Sequence, residues 1–344
     1  MTGVRAAMYY SNSDVRLVEI PKPKIGPGEI LVKVMASGVC GSDVMEWYRI
    51  EKAPLVLGHE ISGEVVEVGA GVKRFRTGDR VFVSHHVPCN TCRYCRSGNH
   101  CACETLHTTN FDPGGFAEFV RCPRINVETG SFALPETMTW EEGTFIEPLG
   151  CVVRGLRVAK LRPGQSVLIL GSGISGLLQL LTARALGAGR IITTDVNDWR
   201  LARAAELGAE ATLRADEDVP ARVRELNEGR PADLVIVCAG ALSAFKQALA
   251  SVDRAGTVLC FAPTEPGVEL PVPVNEFWRN AITLLPSYAA APYDLEVALD
   301  LIRSGRVAVG KLVTHRLGLA ETGRGFKLTA GGGESLKVII EPQR

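Results

Sequence analysis

The chain has 344 residues, 46% of them hydrophobic, with Lys+Arg and Asp+Glu both at 38 and a formal charge of zero. That length accommodates two domains with separate cores, and the apolar fraction excludes a disordered chain. Balanced charge leaves no electrostatic footprint for nucleic acid or an anionic membrane as partner.

The opening MTGVRAAMYY has no apolar h-region and no cleavage signal, which reads as a cytoplasmic protein. From there to about residue 150 the pattern is of short strands broken by turns: turn-rich PKPKIGPGE, alternating ILVKVMASGVC, then SGEVVEVGAGV and GDRVFV. Three segments of this region offer metal ligands: Cys40 in GVCGSD, His59 and Glu60 in VLGHE, and Glu147 in FIEPLG. Thiolate, imidazole and carboxylate are the donors Zn²⁺ accepts, and only a fold could join residues so far apart.

A second, local cluster follows. Cys89-x₂-Cys92-x₂-Cys95-x₇-Cys103 supplies four thiolates, enough for a closed tetrahedral structural zinc site, with Cys101 as a spare fourth ligand. The residues between them show no amphipathic period, so a metal would substitute for a core. Ten cysteines in a chain read as cytosolic argue for metal binding over a disulfide framework. Cys238 in VIVCAG and Cys260 in TVLCFA lie in apolar runs and read as small core residues.

From Gln165 the rhythm becomes strand–helix alternation: SVLIL, helix ISGLLQLLTARALG, RIITTD, helix WRLARAAELGA, DLVIVCAG, a helix around Ser243–Ser251, TVLCFA, and AITLLPSY as a last strand. That is the pattern of an α/β, doubly wound parallel sheet. The greasiest stretch, Val167 to Leu186, is interrupted by Gly171, Ser172, Gly173, Ser175 and Gly176, so it is a strand–turn–helix and not a membrane span. Within it, Gly171-Ser172-Gly173-Ile174-Ser175-Gly176 matches G-x-G-x-x-G in the context a dinucleotide site demands. Gly171 and Gly173 let the backbone approach a pyrophosphate on the helix N-terminus, and Gly176 permits close helix–strand packing. Asp195, ending the next strand, would accept from the adenosine ribose and repel a 2′-phosphate, favouring NAD; Arg200 nearby would attract that phosphate. Asp195 also has a plainer reading as the cap of the helix after it. Gly240, closing DLVIVCAG, is a further cofactor-side candidate. A helix over Tyr293–Arg303 and the strand-like SLKVIIEP close the pattern.

Taken together, GVCGSD, GHEISGEVVEVGAGV, the cysteine loop, GGFAEF, WEEGTFIEPL, GSGISG and TTDVNDWRLARAAELGA resemble the zinc-dependent medium-chain alcohol dehydrogenases, in the branch with sorbitol and threonine dehydrogenases. The resemblance spans essentially the whole chain. It implies a GroES-like β-barrel catalytic domain over residues 1–152, completed by 292–344, and a Rossmann domain over 153–291, with the active site in the cleft between them. It also implies two zinc ions per chain, NAD, and a homodimer or homotetramer. Cys40 and His59 would be catalytic zinc ligands, with Glu60 as ligand or exchange partner. Glu147 stands where the sorbitol branch places Glu, and Cys151 is its rival. Ser42 matches the relay hydroxyl between the alcohol and the nicotinamide ribose. Where relatives often carry a histidine to pass the proton on, this chain has Met45; His85, His86 and His107 are open candidates for that step.

The reaction implied is hydride transfer from a secondary alcohol to NAD⁺, giving a ketone. Trp47, Tyr48, Thr109, Asn110, Phe111 and Tyr288 are expected near the pocket, a mixture suited to a polyol, a cyclitol or an amino alcohol such as threonine. Two alternatives stand beside this. A non-catalytic zinc- and nucleotide-binding regulator would leave Ser42 without purpose, and a zinc-free quinone reductase would leave Cys40 and His59 without purpose.

Overall fold

The computed structural model describes residues 3–344; Met1 and Thr2, the first two positions of the opening segment read above, lie outside the described residues. The chain divides into two compact units, one running to Gly150 and resuming at Ala289–Arg344, the other Cys151–Tyr288.

The first unit is built on strand Ile30–Gly38, whose ILVKVMASG sequence is buried at seven of nine positions. Residues apolar on both pleats suit a central strand with neighbours on each side. Glu60–Val68 pairs antiparallel with it, and Lys337–Glu341 and Phe119–Cys122 pair antiparallel along other parts of it. The sheet runs Val313–Gly318, Lys337–Glu341, Ile30–Gly38, Glu60–Val68, Arg80–Ser84, Ser131–Ala133. A three-stranded sheet of Asp14–Pro21, Gly3–Ser11 and Leu55–Val56 accompanies it. One core cluster gathers Ile30, Val32, Val34, Ile61, Val81, Phe111 and Val120. This barrel-like unit is the GroES-like part of the fold.

Register sets the site. Gly38 pairs with Glu60, so Cys40, just past one strand, and His59, just before the other, emerge at the same end. Gly38 is required there: a Cβ would stand 2.0 Å from Glu60 Oε2.

The second unit is a six-stranded parallel sheet in the order Ala211–Arg214, Ile191–Asp195, Val167–Leu170, Ala232–Val237, Val252–Cys260, Thr283–Pro286. Its central strands are fully buried runs of Val, Ile and Leu, as a sheet covered on both faces requires. The order is that of the doubly wound dinucleotide-binding fold.

Three elements of this unit carry too little signal to be read from sequence. Strand Ala211–Arg214 is short, at the sheet edge, with one buried residue. Helix Val219–Leu226 buries only Val219 and Val223; its start is marked by the Asp218 cap and a proline in the first turn. Helix Val274–Asn280 buries nothing, so no apolar period exists to find. Cys238 and Cys260, expected in the core, are only half-buried, because both sit at the carboxyl ends of their strands, where the packed layers stop. No helix among the described residues is long and apolar enough to cross a membrane.

Candidate active site

In the first unit the ligand atoms of Cys40, His59 and Glu60 lie within 4.8 Å of one another. Each is held by a neighbour. His59 Nδ1 is 3.3 Å from Asp43 Oδ1, and Asp43 is fully buried. Asp43 Oδ2 accepts from the Cys40 backbone N–H at 3.0 Å, so one carboxylate orients both the imidazole and the cysteine turn. Burial disfavours a charged His59, yet Asp43 and the Cys40 sulfur outweigh it and hold its pKa well above the ordinary value. Burial likewise opposes ionised Asp43, but His59 and then Arg49 keep its pKa low. Surroundings that hold a proton so firmly will hold a dication in its place.

Glu60 is fully buried, and its Oε2 accepts from Lys337 Nζ at 2.6 Å; Lys337 also donates to the Val39 carbonyl at 3.2 Å. Burial would lower the Lys337 pKa, but Glu60 first and Cys40 next raise it. Glu60 Oε1 is buried without a hydrogen-bond partner, an orphan acceptor that a cation would satisfy. Glu147, at the start of helix Ile146–Val158, is buried and acts on the Lys337 charge, but its carboxylate is not in the 4.8 Å group. The residues present therefore fit a zinc ion on Cys40, His59 and Glu60, with Glu147 further off.

Ser42 Oγ donates to Cys40 Sγ at 3.5 Å, which puts the hydroxyl beside the metal ligands. His85 lies between His59 and His86, tilted to both rings, with centroids 4.7 and 3.8 Å away. Burial, then the neighbouring His86, pushes the His85 pKa well down, and burial, then His59, holds His86 at about 3. Both are thereby held toward the neutral imidazole, with one ring nitrogen free to accept. His107 is exposed. Of the residues expected near a substrate pocket, Phe111 is 2% exposed with its ring edge-on to His85 at 6.5 Å, and Thr109 spends its hydroxyl on the Val87 backbone. Both follow from the loop packing back on the barrel. Trp47 and Tyr48 are exposed at 38% and 36%.

The cysteine loop brings Cys89, Cys92, Cys95 and Cys103 within 4.8 Å. The sulfur pairs Cys92–Cys95 and Cys89–Cys103 are 3.5 and 3.6 Å apart. Four sulfurs at about 2.3 Å from one zinc would stand roughly 3.8 Å apart, so the cluster fits that ion. A hydrogen bond from Thr91 draws Cys89 down to about 5, while burial pushes Cys95 up to about 12. Four thiolates cannot share this space without a cation. Cys101 lies outside the group.

In the second unit the glycine turn shows the strain its sequence suggests. Gly171 has φ +105°, and a Cβ on Gly176 would fall 1.8 Å from the Gly171 carbonyl oxygen. Gly173 caps helix Ile174–Ala185, leaving its first backbone N–H groups, from Ile174 and Ser175 on, for an anion. Asp195 Oδ2 accepts from Ser172 N at 2.8 Å and Oδ1 from Asn197 N at 2.9 Å. The cap of helix Asp198–Glu206 is Asn197, so Asp195 does not serve that role. The Arg200 guanidinium comes within 3.6 Å of where a Gly173 side chain would stand. Gly240 is exposed beyond strand Ala232–Val237. A cavity of about 540 Å³ opens at the carboxyl ends of the last two strands, walled by Phe245, Phe261, Pro286 and Tyr288.

Three residues that hold the site were not found from sequence: Asp43, Arg49 and Lys337. Asp43 lies inside GVCGSD, where burial of the acid was the missing fact. Lys337 gave only the weak signal of a lysine in an apolar strand.

The chain matches the family model for the alcohol dehydrogenase GroES-like domain over residues 26–130 and that for zinc-binding dehydrogenases over 175–304. It is 34% identical to a sorbitol dehydrogenase of Bombyx mori, covering 100% of both chains. It is 32% identical to an L-idonate 5-dehydrogenase of Vitis vinifera, covering 92% of this chain and 89% of that one. A zinc-binding dehydrogenase of Sinorhizobium meliloti 1021, solved with NADP bound, superposes with a TM-score of 0.88 at 28% identity, covering 99% of this chain and 100% of that one. With the ligand clusters and the glycine turn in place, the chain belongs to the zinc-dependent medium-chain dehydrogenases, in their polyol branch, and is an oxidoreductase that works with zinc and a nicotinamide cofactor.

Proposed function

We propose that the protein oxidises a secondary hydroxyl of a polyol, cyclitol or amino alcohol to a ketone, with NAD⁺ as acceptor. The observation that carries this is the convergence of Cys40, His59 and Glu60 beside the Ser42 hydroxyl. Cys40 and His59, with Glu60 or Glu147, hold one zinc; the four loop cysteines hold the other. Bound there, zinc supplies Lewis acidity toward the substrate hydroxyl and the nicotinamide accepts the hydride. Ser42 Oγ takes the hydroxyl proton, and Asp43 fixes the ring of His59. Gly171, Gly173 and the helix from Ile174 hold the pyrophosphate, Asp195 the ribose, and Gly240 borders the cofactor. The test is a screen of polyols, cyclitols, threonine and simple alcohols with NAD⁺ at mildly alkaline pH. Zinc-loaded protein that reduces no nicotinamide with any of them would sink the reading.

NAD⁺ is preferred over NADP⁺, because the buried Asp195 carboxylate faces the position of a 2′-phosphate with like charge. Asp195→Ala should narrow the kcat/KM ratio of the two cofactors by about 10- to 100-fold, the value of one to three kcal/mol of charge repulsion. A wild-type preference for NADP⁺ would shift the weight to Arg200.

The working form is a homodimer or homotetramer joined through the exposed edge at Thr283–Pro286. Trp278 is 81% exposed, Val274 73% and Tyr288 44%, large apolar side chains of the kind a subunit contact covers. Sedimentation should show a dimer or tetramer at micromolar concentration and a shift to monomer on Trp278→Glu. A wild-type monomer contradicts it. Two thiolate-bearing metal sites need their cysteines reduced, which suits a reducing compartment, and we place the protein in the cytoplasm.

A further inference from the structure

Ser42 is gripped by the Arg49 side chain, which takes no part in binding zinc or the cofactor. From the single-turn helix Glu46–Arg49, Arg49 Nε donates to the Ser42 carbonyl at 2.9 Å and Nη2 donates to Ser42 Oγ at 3.1 Å. The guanidinium lies 4.5 Å above the Tyr48 ring and 3.9 Å from Asp43 Oδ1, with its side chain 15% exposed. Four contacts on a side chain this sheltered make it a fixed part of the turn, with no freedom to swing through solvent.

We infer that Arg49 is the positioning residue for Ser42, filling the gap left by Met45 with a permanent charge in place of a proton carrier. The inference rests on the dehydrogenase reading above. A hydroxyl has one proton and two lone pairs. At Ser42 the proton points to Cys40 Sγ, and Arg49 occupies one lone pair. One lone pair remains, and it is the one that receives the substrate hydroxyl. Arg49 thus fixes the direction in which Ser42 accepts.

Charge is the second contribution. A guanidinium does not release its proton in a protein, so Arg49 carries none. One proton arrives at Oγ from the substrate, and the Oγ proton until then donated to Cys40 Sγ breaks that hydrogen bond and leaves for water, with Arg49 unchanged. As the substrate oxygen loses its proton, negative charge grows within reach of a cation already in place, which needs no reorganisation. Lysine would keep the charge but lose the two-pronged grip on the Ser42 carbonyl and hydroxyl.

The test is a double-mutant cycle on the zinc-loaded enzyme, with Arg49→Gln, Ser42→Ala and the pair. Arg49→Gln should lower kcat about 10- to 100-fold, the value of one charge-assisted hydrogen bond, with zinc content and melting temperature unchanged and KM little moved. In the Ser42→Ala background the same substitution should cost less than about threefold, because residues acting as a unit are not additive. Arg49→Lys should fall between wild type and Arg49→Gln. Met45→His should restore part of the kcat lost in Arg49→Gln. Equal fold-losses in both backgrounds would overturn the inference while leaving the dehydrogenase reading intact. Loss of zinc on Arg49→Gln would also overturn it, by making Arg49 a support of the metal shell. A wild type that oxidises no alcohol overturns both.

Discussion

Cys40→Ser should cut turnover by about 1,000-fold or more, the several kcal/mol that a metal contributes to stabilising charge on oxygen. Zinc should fall from two ions per chain to one, and the melting temperature should move by only a few degrees. A serine hydroxyl nearly fits the space of the thiol, but it stays protonated and is a poor partner for zinc. Little of the fold leans on this position: Cys40 is half-buried at the end of a strand that is anchored elsewhere. Cys92→Ser should do the reverse. Among the described residues its loop buries Cys95, Cys103 and Leu106 with Cys89, Cys92 and Ala289 against them, so an ion on the four sulfurs would do most to hold it together, and stability should fall while residual turnover per folded molecule persists. Metal analysis, kcat/KM and thermal unfolding on both variants decide the matter. Cys40→Ser protein with two zinc ions and normal turnover would remove Cys40 from the site.

Lys337→Met should destabilise the zinc-free protein by about 3–5 kcal/mol, which in a domain of this size lowers the melting temperature by on the order of 10 °C. Methionine matches the aliphatic stem, so little packing is lost. What remains is Glu60, fully buried, with both carboxylate oxygens now lacking a positive partner. Leaving one buried charge uncompensated costs far more than the pair itself contributes. Two further results follow from that cause. Zinc should reduce the penalty, since it returns positive charge beside Glu60. Adding Glu60→Gln should recover most of the loss, because the lone charge is then gone. Thermal unfolding with and without a chelator separates these cases. A zinc-free Lys337→Met protein as stable as wild type would show that water reaches Glu60.

The parallel sheet and the glycine turn were legible because each leaves a local signature: unbroken apolar runs such as VLIL, and glycines where a Cβ cannot go. The cysteine loop was legible because all four sulfurs lie within one short segment. What stayed hidden depends on distance along the chain or on burial. Lys337 meets Glu60 across 277 positions, and nothing in SLKVIIEP says that its lysine points inward. Arg49 is only seven positions from Ser42, yet a basic residue in EWYR looks like any solvated one until the turn folds it back. The elements missed outright, Ala211–Arg214, Val219–Leu226 and Val274–Asn280, bury too little to pattern their sequence.

The pairing of Lys337–Glu341 with Ile30–Gly38 has a bearing on how the protein is made. Synthesis runs from the N-terminus, and domains close as their parts emerge from the ribosome. Residues 151–288 are contiguous and can condense as soon as they are out. The metal-binding half cannot, because its central strand waits for a neighbour translated some three hundred codons later. Until that neighbour arrives, Glu60 lacks its lysine and the Ser37–Gly38 end of the strand, next to Cys40, lacks its outer partner. The half that is translated first is therefore the half that closes last.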